Sequence, residues 1–225
     1  WLGCLADEPV SDDTWQALRD ICHRVSIVPV EPRLRWLRAG TSFLAGKTIS
    51  EGAFSSPRLK RIVADWSAQR SFDSALCSSS ALAPYLQVPS LEQTPRHVDL
   101  IDVDSEKWFD YSKASGFLKR GIFNLEGHRL RELESGIADW ASGITVVSEP
   151  EAQLYRAFRP DGPIEPIPNG VDVDYFTPEA GNPEGVMPKA SSQSGCVFVG
   201  ALDYKPNIDG IIWFARNVWP QIHQQ

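Results

Sequence analysis

Apolar residues along this chain gather in short unbroken runs, and between the runs they return every three or four positions. The runs Trp1–Leu5, Val25–Val30, Ser74–Cys77, Val98–Val103, Ile144–Val147 and Ile164–Ile167 read as strands covered on both faces. The intervening stretches read as helices. Asp12 or Asp13 caps one that carries Trp15, Leu18, Ile21 and Cys22 on a single face, and Pro57 opens another with Leu59, Ile62, Val63 and Trp66. Pro32–Leu44 and Ser79–Leu86 are helical as well. From Lys107 to Trp140 the period is helical, broken near Gly116 or Gly121, with Ile122, Leu130, Leu133, Ile137 and Trp140 as one buried stripe. Ser148-Glu149-Pro150-Glu151 is a capping box that starts the next helix. Strands and helices alternating in this way predict an α/β fold, a parallel sheet with flanking helices.

The rhythm stops at Ile167-Pro168-Asn169-Gly170-Val171-Asp172. Pro168 fixes one backbone angle and Asn169-Gly170 suits positive φ, so a sharp turn is expected. Asn-Gly fits either a hinge between domains or a β-hairpin, although Asp172, Asp174 and Pro178 do not supply a hairpin's second strand. The hinge reading makes residues 1–168 one domain, 169–195 hinge and linker, and 196–225 the start of another. Residues 179–195, rich in Gly, Pro, Ser and Asn, read as a loop. After it, Cys196–Val199 reads as a strand and Asn207 as the cap of a helix bearing Ile211, Ile212, Phe214, Ala215 and Trp219. Trp1 stands inside an apolar run and Val218–Ile222 still carries helical spacing, so both ends are expected to be cut from something longer.

With 225 residues and 42% hydrophobic content the chain can bury a sizeable core. Its net charge of −7 argues against nucleic acid as a partner. Cys4, Cys22, Cys77 and Cys196 lack CxxC spacing, which predicts buried free thiols, no metal site and a reducing, cytoplasmic compartment. No apolar run is long enough to cross a bilayer.

Three features carry chemistry. Asp102-Val103-Asp104-Ser105-Glu106-Lys107-Trp108 crowds polar groups at a strand end, where parallel sheets bind ligands; a capped helix start with a solvated charge run is the alternative. Glu126 and Arg129 lie on or beside the buried stripe, as a structural ion pair or as groups facing a cleft. The helix 32–44 sets Leu34, Leu37, Thr41 and Leu44 to one side, Trp36 and Phe43 flanking, and Arg35, Arg38 and Ser42 opposite. Docking on an anionic membrane and ordinary core packing through those leucines both fit.

Taken in order, Asp99–Trp108, Glu126 with Arg129-Leu130, Val147-Ser148-Glu149, Ile167–Phe176, and Phe198-Val199-Gly200-Ala201-Leu202-Asp203-Tyr204 with Pro206-Asn207 resemble the GT-B family 4 type of retaining glycosyltransferases. The resemblance is closest to the sugar transferases of the PEP-CTERM/exosortase system. It implies a Rossmann-like acceptor domain without its first strand and helix, then the first strand-helix unit of a second Rossmann-like domain that binds the nucleotide sugar. It further implies transfer of a hexose from a UDP- or GDP-sugar, with no obligatory metal or cofactor. The acceptor would be a glycan or a lipid-linked sugar in exopolysaccharide or surface-glycan assembly, met in the cytoplasm or at the inner face of the membrane. Helix N-termini and basic side chains would stabilise the leaving diphosphate.

On this resemblance Asp102, Asp104 and Lys107 are the catalytic candidates, with Asp102 or Asp104 accepting a hydrogen bond from the acceptor hydroxyl. Ser148, Glu149, Asn169, Gly170, Gly200, Lys205 and Asn207 are the candidates for substrate binding. Ala201-Leu202 stands where many relatives carry an arginine after the glycine, which departs from the pattern at a pyrophosphate contact. Without most of the donor domain the chain is expected to be inactive by itself. A two-lobed α/β ligand-binding protein, or a non-catalytic interaction protein, is the alternative plan.

Overall fold

The computed structural model describes residues 1–176, 196–202 and 205–223. They fall into two units, Trp1–Asn169 and Gly170–Gln225. In the first, strand β1 (Leu2–Ala6), helix α1 (Asp12–Ile21) and strand β2 (Val25–Pro29) form a parallel βαβ unit with Leu2 beside Val25 and Ala6 beside Pro29. Helices α2 (Pro32–Leu44), α3 (Ile49–Ala53) and α4 (Pro57–Gln69) follow. Next come β3 (Ala75–Ser78), the 3-10 stretches Ser80–Leu86 and Pro89–Leu91, and β4 (Arg96–Ile101). Helices α5 (Asp104–Lys113) and α6 (Phe117–Ile137) lead to β5 (Gly143–Val146), and α7 (Glu149–Phe158) leads to β6 (Ile164–Pro166). Strands β3 to β6 lie in sequence order, all parallel. This is the Rossmann-like α/β arrangement that the alternating pattern predicts.

The core forms where the unbroken apolar runs meet. Val98, Ile144 and Val146 are completely buried, and Ile137 and Tyr155 close over them from α6 and α7. Long helical spacing breaks at Gly116, which takes an extended conformation ahead of α6. Helices α5 and α6 then pack tightly enough that a Cβ on Gly127 would lie 2.8 Å from the Phe109 ring.

Sheets β1–β2 and β3–β6 are separate. A cavity of about 710 Å³ lies between them, lined by Leu2–Leu5 of β1 and all of β3 and by no residue of β2. Strand β1 is therefore the edge that faces β3. The chain steps outward from β1 to β2, then back across to β3, so its direction of travel reverses at this cavity.

Several local expectations change. Ser11, not Asp12 or Asp13, caps α1, because its hydroxyl reaches the Thr14 amide, and Ile21 at the far end is exposed. Ile122 is half exposed, since the first turns of α6 extend past the core. Helix α2 packs through its small residues: Ala39 is buried, and a Cβ on Gly52 would meet the Ala39 Cα at 2.8 Å. Leu34, Leu37 and Leu44 are consequently exposed, against the core-packing reading. The cysteines are free, but Cys4, Cys22 and Cys77 are half-buried and Cys196 is exposed.

Glu126 and Arg129 do not pair with each other. The Ile49 and Ser50 amides donate to the fully buried Glu126 carboxylate at 2.8 and 3.2 Å, while Arg129 Nη1 donates to the Phe43 and Lys47 carbonyls at 2.7 and 3.0 Å. One side chain answers the amides that open α3, and the other the Phe43 carbonyl at the end of α2 and the Lys47 carbonyl just beyond it; opposite helix ends carry opposite partial charges.

In the second unit, α8 (Lys205–Trp213), a π-helical turn (Phe214–Val218) and α9 (Trp219–His223) run on as one helical stretch. Cys196–Val199 forms no strand, and Val197 and Val199 are exposed. A single strand has no ladder to join unless a neighbour supplies one, and among the described residues of this unit there is none. The expected opening strand of a second domain is therefore not seen among the described residues. The loop expected at 179–195, and Asp203 and Tyr204, lie outside the described residues.

Replacing Glu126 by Ala removes the acceptor of the half-buried Ile49 and Ser50 amides, which costs up to about 1–3 kcal/mol for a group left unsatisfied and less where water can reach it. Urea denaturation should show that loss, and hydrogen exchange should speed up first at residues 48–53; an unchanged midpoint would remove Glu126 from this role.

Candidate active site

The carboxyl ends of β3 and β4 hold the only two non-glycine residues with positive φ among the described residues, Ser79 at +78° and Ile101 at +68°. Positive φ is a genuine outlier for a β-branched side chain. At Ile101 the Asp102 amide reaches back to the Leu100 carbonyl at 2.9 Å, closing a γ-turn of the rare positive-φ kind. Three bonds hold the turn. Asp99 Oδ1 accepts from the Ile101 amide at 3.3 Å, the Ile101 carbonyl accepts from the Val147 amide at 2.8 Å, and Glu151 Oε2 accepts from the Val103 amide at 2.7 Å. Backbone strain that is pinned from several sides is a mark of functional positions.

The turn delivers Asp102 and Asp104 to Lys107. The ammonium lies 2.8 Å from Asp102 Oδ2 and 3.1 Å from Asp104 Oδ1, and all three side chains remain partly exposed. Burial works to lower the Lys107 pKa, but the bonds and charge of Asp102 and Asp104 outweigh it and hold it above the ordinary lysine value. Lys107 is thus a fixed cation. The second oxygen of each carboxylate, Asp102 Oδ1 and Asp104 Oδ2, makes no hydrogen bond within the described residues.

Beneath them Glu134 on α6 is fully buried and accepts from the Ser105 amide at 3.1 Å and the Ser105 hydroxyl at 2.6 Å. It ties the first turn of α5 to α6, as does the ion pair between Glu106 and Arg131. Burial, joined by the charge of Asp104, pushes the Glu134 carboxyl up to about 7 against the pull of its bonds to Ser105.

No protein-family model, curated protein or solved structure matches this chain.

The other candidates are spread more widely. Ser148 caps α7 by accepting from the Glu151 amide at 3.4 Å. The capping box is only half present, because the Glu151 carboxylate turns to Val103 instead of returning to Ser148. Glu149 pairs with Arg156 at 2.9 Å on the surface of α7. Asn169 and Gly170 are exposed, and neither has positive φ. The expected sharp turn lies further on, where Asp172 Oδ1 accepts from the Asp174 and Tyr175 amides at 3.1 and 2.9 Å.

In the second unit Gly200 and Asn207 do meet: a Cβ on Gly200 would lie 2.9 Å from Asn207 Nδ2, which donates to the Ala201 carbonyl at 3.0 Å. Asn207 is the third residue of α8 rather than its cap, since the helix already begins at Lys205. Lys205 contributes backbone to that first turn; its side chain lies outside the described residues.

The chain pattern did not single out Glu134; it placed Ile101 within a strand and Glu151 in a capping box, and neither position revealed the strained turn. One signal for Glu134 was readable: it follows Glu126 by two helical turns on the same buried stripe, and a second carboxylate there must have a partner.

Because Glu134 binds its proton more tightly when folded, stability should fall as pH rises from about 4.5 toward about 7 and level off above it. At about 1.4 kcal/mol per pH unit, the upper bound on this loss is about 3 kcal/mol. Glu134→Gln should flatten the decline in urea midpoints measured between those limits; an equal decline in both proteins would assign it elsewhere.

Proposed function

We propose that the unit Trp1–Asn169 is the acceptor-side domain of a hexosyltransferase that uses a UDP- or GDP-sugar and a glycan or lipid-linked acceptor. The observation that supports this reading is the pair of half-free carboxylates, Asp102 and Asp104, braced by Lys107 beside the strained Ile101 turn. The cation fixes one oxygen of each carboxylate, and the other oxygen is left to accept from a hydroxyl. A polyol is the natural partner of two such acceptors held a few residues apart. Lys107 in this reading orients Asp102 and Asp104 rather than moving a proton, since it stays charged across the neutral range.

Sugar transfer with retention builds positive charge on the hexose while the nucleoside diphosphate leaves. Carboxylates beside the incoming hydroxyl align it and favour that charge, while contacts to the diphosphate belong to the donor-side domain. In this reading the Asp102, Asp104 and Lys107 cluster supplies acceptor geometry and nothing for the leaving group, so the 225-residue chain should bind acceptor without turnover.

Titrating the chain with a panel of oligosaccharides should shift the backbone resonances of residues 101–107, and Asp102→Asn with Asp104→Asn should abolish the shift. Where this unit is joined to a donor-side domain, the same pair should lower hexosyl transfer on the order of 10²–10⁴-fold. Hexose transfer by the 225-residue chain alone, or full activity of the double variant, would overturn the assignment.

A peripheral membrane contact through residues 32–44 belongs to the same proposal. The expected basic face is not presented, because Arg35 turns to Asp7 and the Phe54 ring and Arg38 donates to the Ser55 carbonyl; the exposed groups are Trp36, Leu37 and Leu44, at 70, 64 and 87%. No helix among the described residues is long and apolar enough to cross a membrane, so the contact would be a surface one. Sedimentation with phosphatidylglycerol vesicles should be lost in Trp36→Glu combined with Leu44→Glu; retention by that variant would refute the contact.

A further inference from the structure

A second cavity, about 510 Å³, opens among the carboxyl-terminal half of α2, helix α3, the first turn of α4 and the 3-10 stretch after β3. Its size is within the range of small-molecule sites. None of its lining belongs to the Asp102, Asp104 and Lys107 cluster.

Its charge is one-sided. Arg38, Lys47 and Lys60 line it, against the single carboxylate of Glu51. That carboxylate is already engaged: Glu51 Oε2 accepts from the Thr48 amide and the Thr48 hydroxyl, both at 3.1 Å, in a complete capping box. Arg38 spends one nitrogen on the Ser55 carbonyl at 3.0 Å. The ammonium groups of Lys47 and Lys60 have no hydrogen-bond or ion-pair partner among the described residues. Three cations therefore line a concave space against one carboxylate, which leaves an excess of positive charge there.

The position is independent of the charge and points the same way. The helices after β2, the 3-10 stretch after β3, and the start of the helix that leads into β3 all lie at the carboxyl edge of the parallel strands. Phe54 and Tyr85 line both this cavity and the one between β1 and β3, so it adjoins the place where the direction of travel across the sheet reverses. Open parallel sheets bind ligands at such a reversal, outside the carboxyl ends of the strands. The wall there is rigid: the Tyr85 hydroxyl donates to the Phe54 carbonyl and accepts from the Ser56 amide, each at 2.6 Å.

We propose that this cavity binds a phosphoryl-bearing small molecule, with Arg38, Lys47 and Lys60 as its anion contacts. Arg38 offers a planar fork, and the two lysines offer mobile point charges that close on a multiply charged group. The assignment does not depend on sugar transfer by the first cluster.

Inorganic pyrophosphate is the probe, titrated into the full chain at low salt and followed by backbone resonances and calorimetry. Saturable binding should shift residues 38–60, and Lys47→Glu with Lys60→Glu should weaken it by at least about tenfold. The neutral pair Lys47→Gln with Lys60→Gln, checked for an unchanged melting temperature, gives the same answer should the reversal disturb folding. Lys119→Glu, away from the cavity, should leave binding intact. A second arm uses phosphatidic acid vesicles against phosphatidylcholine vesicles. Lysine-dependent binding to the former would identify a lipid headgroup as the phosphoryl source, and binding of pyrophosphate alone a soluble ligand. Absence of saturable binding in both arms, or binding untouched by either lysine pair, would overturn the site.

Discussion

Two carboxylates on one buried face of α6 govern the surface of the first unit. Glu126 and Glu134 stand two turns apart, both without exposed area, and each takes its hydrogen bonds from backbone amides that open another helix. Glu126 fixes α3 and, through its neighbour Arg129, the end of α2; Glu134 fixes the start of α5. A buried carboxylate with no partner is costly enough to shift its own protonation, so both segments must dock where α6 dictates. The wall of the basic cavity and the base of the acidic cluster thus depend on the same helix. Strain at Ile101 is tolerable for a similar reason: Asp99, Val147 and Glu151 hold that turn from three directions.

Parallel strands put loop after loop along one edge, and the order in which the chain visits them decides where a concave space opens. In this unit β1 to β2 runs one way and β3 to β6 the other, leaving the two sheets apart at the reversal. The basic cavity adjoins that reversal, whereas the acidic cluster sits at the end of β4, inside the continuous sheet. Topology alone would favour the first as a ligand site. The second is favoured by strain and by half-satisfied carboxylates, which are local properties.

What the chain pattern made legible was set by the range of the interaction. Unbroken apolar runs and 3.6-residue periods depend on neighbours in sequence, so every strand of the first unit and the helices Pro32–Leu44 and Pro57–Gln69 were readable. Asp102, Asp104 and Lys107 were readable as a cluster because the stretch 102–107 contains both ends of each ion pair once a strand stops there. Glu126 and Arg129 were readable as buried charges but not as helix caps, since their partners lie 77 and 86 residues away. Helix α2 misled in the opposite sense: its leucines have the spacing of a core face, yet Gly52 lets the small face of Ala39 come closer and win. The run Cys196–Val199 has strand composition, and strand formation needs a partner that composition cannot supply.

Electrostatics along the carboxyl edge change sign, and that restricts what kind of ligand could span it. Near β2 and β3 the free groups are cations; at the end of β4 they are carboxylate oxygens around a lysine already neutralised by its partners. A uniformly anionic molecule would be attracted at one place and repelled at the other. A molecule with a phosphoryl group at one end and hydroxyls at the other meets a complementary surface at both. The same contrast argues against a purely structural account of the acidic cluster. Had its role been only to cap α5, Glu134 and Glu151 already satisfy the amides of Ser105 and Val103 there, and Asp102 and Asp104, each bonded to Lys107 through one oxygen, leave the other oxygen without a structural use.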